Sequence, residues 1–180
     1  MSLTIPLPEW LESVNRSHQV FADTAAAMEF VIELSRRNIA DGGGPFAAAI
    51  CSESLELVAA GVNRVVPAQA SILHAEMLAL LLAQQKLGTH DLSAVGRYVL
   101  VTSCAPCAMC LGAIPWSGVA TVVCGAREED AVAIGFDEGD KPVAWQDKLR
   151  SRAIRVEEDV CRQQATAVLH AYKGQGGGLY

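Results

Sequence analysis

His74 and Glu76 stand two residues apart at the start of one helical stretch, and Pro106 leads into a second that carries Cys107 and Cys110. A C-x-x-C pair at a helix N-terminus lets the first turn aim both sulfurs at one point. The unpaired N–H groups there also favour thiolate over thiol. Zinc takes sulfur and imidazole ligands, so His74, Cys107 and Cys110 form a three-ligand set with a fourth position open to water. Water in that position ionises with a pKa of about 7. Glu76 can approach it without being a ligand, take its proton and return that proton to a leaving amine. These are the parts that hydrolytic deamination needs, with one zinc per chain.

The joint pattern His-x-Glu followed by Pro-Cys-x-x-Cys is that of the zinc nucleobase deaminases. A bland alternative uses the same residues. Cys104 extends the pair to C-x-x-C-x-x-C, and with His74 the three thiols would make a closed Cys₃His site holding no catalytic water. Cys104 falls at a strand end, where its sulfur need not face the metal, and a closed site leaves Glu76 without purpose. Cys51, Cys124 and Cys161 sit in apolar surroundings and read as packing residues. His18, His90 and His170 read as surface or capping residues. The basic cluster Lys148, Arg150, Arg152 and Arg155 reads as a solvated face rather than a phosphate site.

Those residues need elements to hold them. A helix is predicted from about Asp23 or Thr24, either of which can cap it, to the run Gly42-Gly43-Gly44. The apolar runs 46–52 and 57–63 read as a β-hairpin, their near-continuous apolarity implying a sheet covered on both faces. Residues 74–87 are rich in helix formers and hold no Gly or Pro. Strands follow at 98–102 and 120–124, with a helix over 107–116 stopped near Pro115. The stretch 125–142 reads as loop. A helix near 143–152, a strand at 154–157 and a last helix to about residue 172 complete the series. The pattern predicts an α/β fold with one mixed sheet covered by helices on both faces. The expected organisation is a single domain over 1–180, with an N-terminal arm at 1–22 and a Gly-rich tail at 173–180.

Composition narrows the classes. The chain has 180 residues, 51% hydrophobic and 19% charged, enough for a core without disulfide staples and unlike a disordered chain. Fourteen Lys and Arg against twenty Asp and Glu leave a net charge of −6. That excludes the basic footprint of a duplex nucleic-acid binder and suits a small-molecule substrate. No signal peptide and no membrane span is expected, so the location is read as cytoplasmic and the clustered thiols as reduced.

At this point the residues resemble a known family. His74-Ala75-Glu76 and the run Pro106-Cys107-Ala108-Met109-Cys110-Leu111-Gly112-Ala113-Ile114 match the zinc motifs of the cytidine-deaminase-like superfamily. Thr102-Ser103-Cys104, Trp116 and Gly135-Phe136-Asp137-Glu138 point to its bacterial guanine deaminase branch. The resemblance covers roughly residues 23 to 160. It implies a three-layer α/β/α sandwich with a five-stranded mixed sheet and conversion of guanine and water to xanthine and ammonia. It also implies a homodimer whose C-terminal segment can close over its own or its neighbour's site. The implied base-binding set is Asn63, Phe46, Trp116, Phe136, Asp137 and Ala75, with Glu138 sharing proton transfer with Glu76. One position departs from the family: Ala105 stands where Glu is usual before the Pro-Cys pair, which removes a carboxylate close to the metal site. Other aminated heterocycles (triazine, pterin, cytosine or cytidine type) and tRNA adenosine stay open as substrates. A non-catalytic, zinc-stabilised dimerisation module is the reading from another class.

Overall fold

The computed structural model describes residues 5–179. Residues 1–4 of the expected arm and Tyr180 of the tail lie outside that range. In chain order the elements are α1 (Glu9–Arg16), α2 (Thr24–Ala40), β1 (Ala47–Ser52), β2 (Leu57–Val62), α3 (Val65–Ala68), α4 (Ala75–Leu87), β3 (Tyr98–Cys104), α5 (Ala108–Ser117), β4 (Thr121–Ala126), α6 (Glu128–Ile134), α7 (Trp145–Arg150), β5 (Arg155–Glu157) and α8 (Arg162–Gly174).

The five strands form one mixed sheet in the order β2-β1-β3-β4-β5. β1 is antiparallel to both β2 and β3, while β3, β4 and β5 run parallel. Period-two alternation decides which side chain joins which layer. Ala47, Ala49, Cys51, Val99, Val101 and Val123 pack with α1, α2, α6 and α8. Ala48, Ile50, Leu100, Val122 and Cys124 pack with α4, α5 and α7 on the other face. Both faces are therefore covered, the physical reason the strands read as almost wholly apolar. The fold is the α/β/α arrangement that the resemblance implies.

Local chemistry sets the ends of the helices that matter. Asp23 caps α2, its carboxylate accepting from Ala26 N–H at 2.8 Å. Such a cap stabilises a helix by about 1 kcal/mol. α4 lies directly on β2 because Gly61 faces it; a Cβ there would collide with backbone at Ala75 and Ala79. That close approach brings the α4 N-terminus to the sheet.

The expected arm holds a helix, α1, and its Asn15 side chain both donates to Ala60 O (3.1 Å) and accepts from Ala60 N–H (2.6 Å), sealing the free edge of β2. Two expectations are corrected. Pro115 lies inside α5 rather than ending it; the helix stops at Gly118, which adopts the left-handed conformation. The stretch 125–142 holds α6, whose Asp130 carboxylate accepts from the N-cap Arg127 N–H at 2.8 Å.

Candidate active site

Two helix N-termini meet at the C-terminal end of β3. His74 is the N-cap of α4 and Cys107 the N-cap of α5, both in extended backbone conformation. Ala105 N–H donates to Ala126 O at 2.8 Å, so the chain leaves β3 beside β4 before Pro106 turns it into the helix. Cys110, one turn further on, is fully buried. His74 Nδ1 lies 3.4 Å from Cys107 Sγ and 3.7 Å from Cys110 Sγ.

These distances test whether zinc fits. Zn–N of about 2.0–2.1 Å and Zn–S of about 2.3 Å at tetrahedral angles place N and S roughly 3.6 Å apart. The observed pair brackets that value, and all three ligand atoms lie within 4.8 Å of one another. Among the described residues this is the cluster with metal-ligand geometry. Cys104 does not join it: its Sγ contacts Arg127 O at 3.6 Å instead. The donor set is therefore three-fold, with a position left over.

Electrostatics agree with ligation. Of the two thiols, Cys107 ionises first. Hydrogen bonds from Cys110 and then His74 hold it down at about 4, against the cost of burial. Cys110, as donor to that thiolate, is pushed up. Burial raises the Glu76 carboxyl above the usual carboxylate range, and the negative Cys107 adds to the shift.

A narrow cleft ends on these groups. Phe46, Asn63, His74, Glu76, Thr102, Cys104, Ala105, Cys107, Phe136, Asp137 and Glu138 line it. Phe46 and Phe136 meet edge to face with centroids 4.8 Å apart, and Phe136 stacks in turn on Tyr172 at 6.0 Å. The Glu138 backbone is tied to the metal-side helix, its carbonyl accepting from Ala108 N–H at 2.9 Å. Its side chain is buried, and Oε2 finds no hydrogen-bond partner among the described residues. Burial first, then Cys107, pushes its pKa up to about 8, while Lys141 opposes the shift. Asp137 is exposed at the rim and accepts from Gly139 N–H at 2.9 Å, closing the turn that swings Glu138 inward.

Two residues from the expected base-binding set lie elsewhere. Trp116 is 83% exposed and flanks a separate groove with Ile72, Leu73, Met77, Leu80 and Leu81. It faces outward because it sits on the side of α5 turned away from the sheet. Ala75 is fully buried against the sheet rather than on the cleft wall. His18, His90 and His170 are exposed.

Sequence reasoning cited Thr102 as a family marker and gave it no place in the cleft, although its position at the C-terminal end of a parallel strand is where such folds put ligand contacts. It also passed over Lys141. That side chain is 2% exposed and pairs with Glu128 at 2.8 Å, with Nζ 5.3 Å from the Trp145 ring centroid. No sequence motif announces it. The tail folds back on its own chain: Tyr172 O–H donates to Gly178 O at 2.6 Å, and Leu179 lies against Gly135.

Comparison with known proteins bears on this geometry. The sequence profile of the cytidine and deoxycytidylate deaminase zinc-binding region matches residues 22–126. The solved structure of guanine deaminase from Nitrosomonas europaea is 50% identical with a TM-score of 0.94, over 96% of this chain and 97% of that one. NE0047 in complex with 2,6-diaminopurine is likewise 50% identical, at a TM-score of 0.96 over 99% and 96% of the two chains. Guanine deaminase of Bacillus subtilis is 40% identical over 96 residues, which span 53% of this chain and 59% of that protein.

Proposed function

The chain belongs to the cytidine and deoxycytidylate deaminase zinc-binding family, and on that footing we propose that it is a zinc-dependent hydrolase that deaminates guanine to xanthine. The observation that carries this reading is the full-length similarity to the Nitrosomonas guanine deaminase, joined to a cleft that ends on a three-ligand zinc set. Zinc held by His74, Cys107 and Cys110 supplies a Lewis acid and a water acidic enough to attack at neutral pH.

The chain's own residues do the rest. Glu76 takes a proton from the attacking water and delivers one to the departing amine; burial raises its pKa, which favours holding that proton between the two steps. The C–N bond breaks, a carbonyl forms, and ammonia leaves. Glu138 lines the cleft with its buried Oε2 unpartnered, ready to accept from a substrate rich in N–H donors and to share proton transfer with Glu76. Asn63 reads a carbonyl and ring N–H of the base; its Oδ1 is steadied by Val65 N–H at 3.3 Å. Phe46 and Phe136 wall the flat ring. Asp137 shapes the rim. The chain acts as one catalytic domain over 1–180, with the segment 173–180 as cover.

The partners are a nucleobase and a second copy of the chain, with Trp116 and Ile72, both largely exposed, at the contact between copies. No described helix is long and apolar enough to cross a membrane.

Ammonia release from a panel of guanine, adenine, cytosine, cytidine, guanosine and a triazine tests the substrate. Guanine is expected to be fastest. A faster pyrimidine or nucleoside would replace the substrate and leave the zinc chemistry standing.

A further inference from the structure

Behind the cleft lies a buried polar knot that the mechanism does not use. Asn38, in the last turn of α2, is 0% exposed. Its Nδ2 donates to Gly44 O and to Asn63 O, both at 2.8 Å, and its Oδ1 accepts from Arg64 Nη1 at 3.1 Å. Both amide hydrogens and the oxygen are engaged. The two carbonyls belong to the chain entering β1 and the chain leaving β2. Those strands are joined at the same place by Asn63 N–H donating to Phe46 O at 3.0 Å. Asn63 and Phe46 are cleft residues, so one side chain of α2 fixes the backbone that presents both.

We propose that Asn38 is a positioning residue for substrate binding, setting where Asn63 and Phe46 stand in the cleft. The inference rests on the reading that this cleft holds the base. An apolar side chain could fill the volume but could not direct two carbonyls at once. Aspartate keeps the shape and loses both donors, setting an oxygen against the Gly44 and Asn63 carbonyls. Gly43 offers an independent approach. A Cβ at that position would overlap the Asn38 amide, while the backbone N–H of Gly43 already donates to Asn38 O at 2.8 Å. Gly43→Ala therefore displaces the amide without deleting a hydrogen-bonding group.

A contact of the kind Asn63 makes holds substrate and transition state alike, so misplacing it raises KM more than it lowers kcat. The test uses zinc-loaded enzyme and the substrate that the wild type turns over fastest in the panel above. Asn38→Asp, Asn38→Ala and Gly43→Ala are compared with Leu34→Ala, a core truncation on the same helix. Zinc content and Tm are recorded for each. Expected is a KM rise of about tenfold in the Asn38 and Gly43 variants, with kcat within about threefold and zinc unchanged. Leu34→Ala should lower Tm and leave KM in place.

An unchanged KM in folded, zinc-loaded Gly43→Ala overturns the proposal, and so does an equal KM rise in Leu34→Ala. Should the Asn38 variants not fold, Gly43→Ala alone decides. A wild type that prefers another base sinks the guanine reading, while the KM split on that base still judges Asn38. A wild type that deaminates nothing in the panel removes the base-binding cleft and this inference with it.

Discussion

Cys104 and Cys107 are three residues apart and chemically alike, yet only one faces the metal cluster. Cys107 caps a helix and lies 3.4 Å from His74 Nδ1; Cys104 ends a strand and contacts Arg127 O at 3.6 Å. Burial drives the Cys104 thiol well above its ordinary pKa, as expected of a packing residue. Cys104→Ser should therefore keep about one zinc per chain and near-normal turnover, whereas Cys107→Ser should lose both; metal analysis of the two variants checks this. The carboxylates separate in the same manner. Glu138 is inside, with Oε2 unpaired, and Asp137 is outside, held by Gly139 N–H. Glu138→Gln should cut kcat at least ~10²-fold, the usual scale for a positioned proton carrier. Asp137→Asn, which keeps an oxygen for the turn, should cost less than about tenfold. Tm and zinc content should stay near wild type in both. The metal set was legible in the sequence because each ligand belongs to a short motif at a helix start. The cleft walls were named through resemblance, and Trp116 shows where that stops: which face of a helix points outward is decided by packing.

Helix α6 illustrates the same limit at the scale of an element. Its residues Glu128, Glu129 and Asp130 favour a helix start, but its seven residues are too few to hold a helix alone. Partners thirty residues away complete it. Arg162 on α8 grips Asp130 through Nε and Nη2 at 2.8 and 2.9 Å and reaches Glu129 at 2.9 Å. Arg127 holds Asp159 with two bonds of 2.7 Å. No local pattern reports such long-range pairs, so 125–142 read as loop. The strands and long helices were readable because their apolar periodicity is local. The α6 clamp matters to function, since α6 leads straight into Phe136 and Glu138. It also sets a pH dependence. Arg162 holds the Asp130 carboxyl below its ordinary 3.8. A lowered carboxylate contributes stability above its unfolded pKa and loses it as pH falls through the folded value. Arg162→Gln should thus lower Tm by about 2–4 °C at pH 7. The gap should shrink as pH falls below 3.8 through the lowered folded pKa of Asp130, where its carboxyl protonates in the wild type as well. Thermal melts of both proteins at pH 7 and over an acid series decide it; a gap that does not narrow would remove the clamp.

Across the whole molecule, one surface gathers exposed apolar side chains around an aromatic. Trp116 at 83% exposure and Ile72 at 62% flank an apolar groove formed with Leu73, Met77, Leu80 and Leu81. Large apolar side chains rarely gather on the surface of a monomer, and an aromatic at the centre of such a patch is the usual anchor of an interface. The groove belongs to α4 and α5, whose N-termini carry the zinc ligands. A second copy seated there would brace both helices and so the metal site. The tail points to a division of labour within such a pair. It lies against Gly135 of its own chain, held by Tyr172, which would leave the groove, and not the tail, as the contact between copies. Trp116→Lys places a charge at the anchor and removes little intrachain packing, because the side chain is so exposed. The wild type should elute as a dimer and scatter light accordingly, and the variant as a monomer at micromolar concentration. Its zinc should become more easily removed by a chelator, since the braced helices are freed. A variant that stays dimeric with unaltered zinc retention would return Trp116 to the open surface.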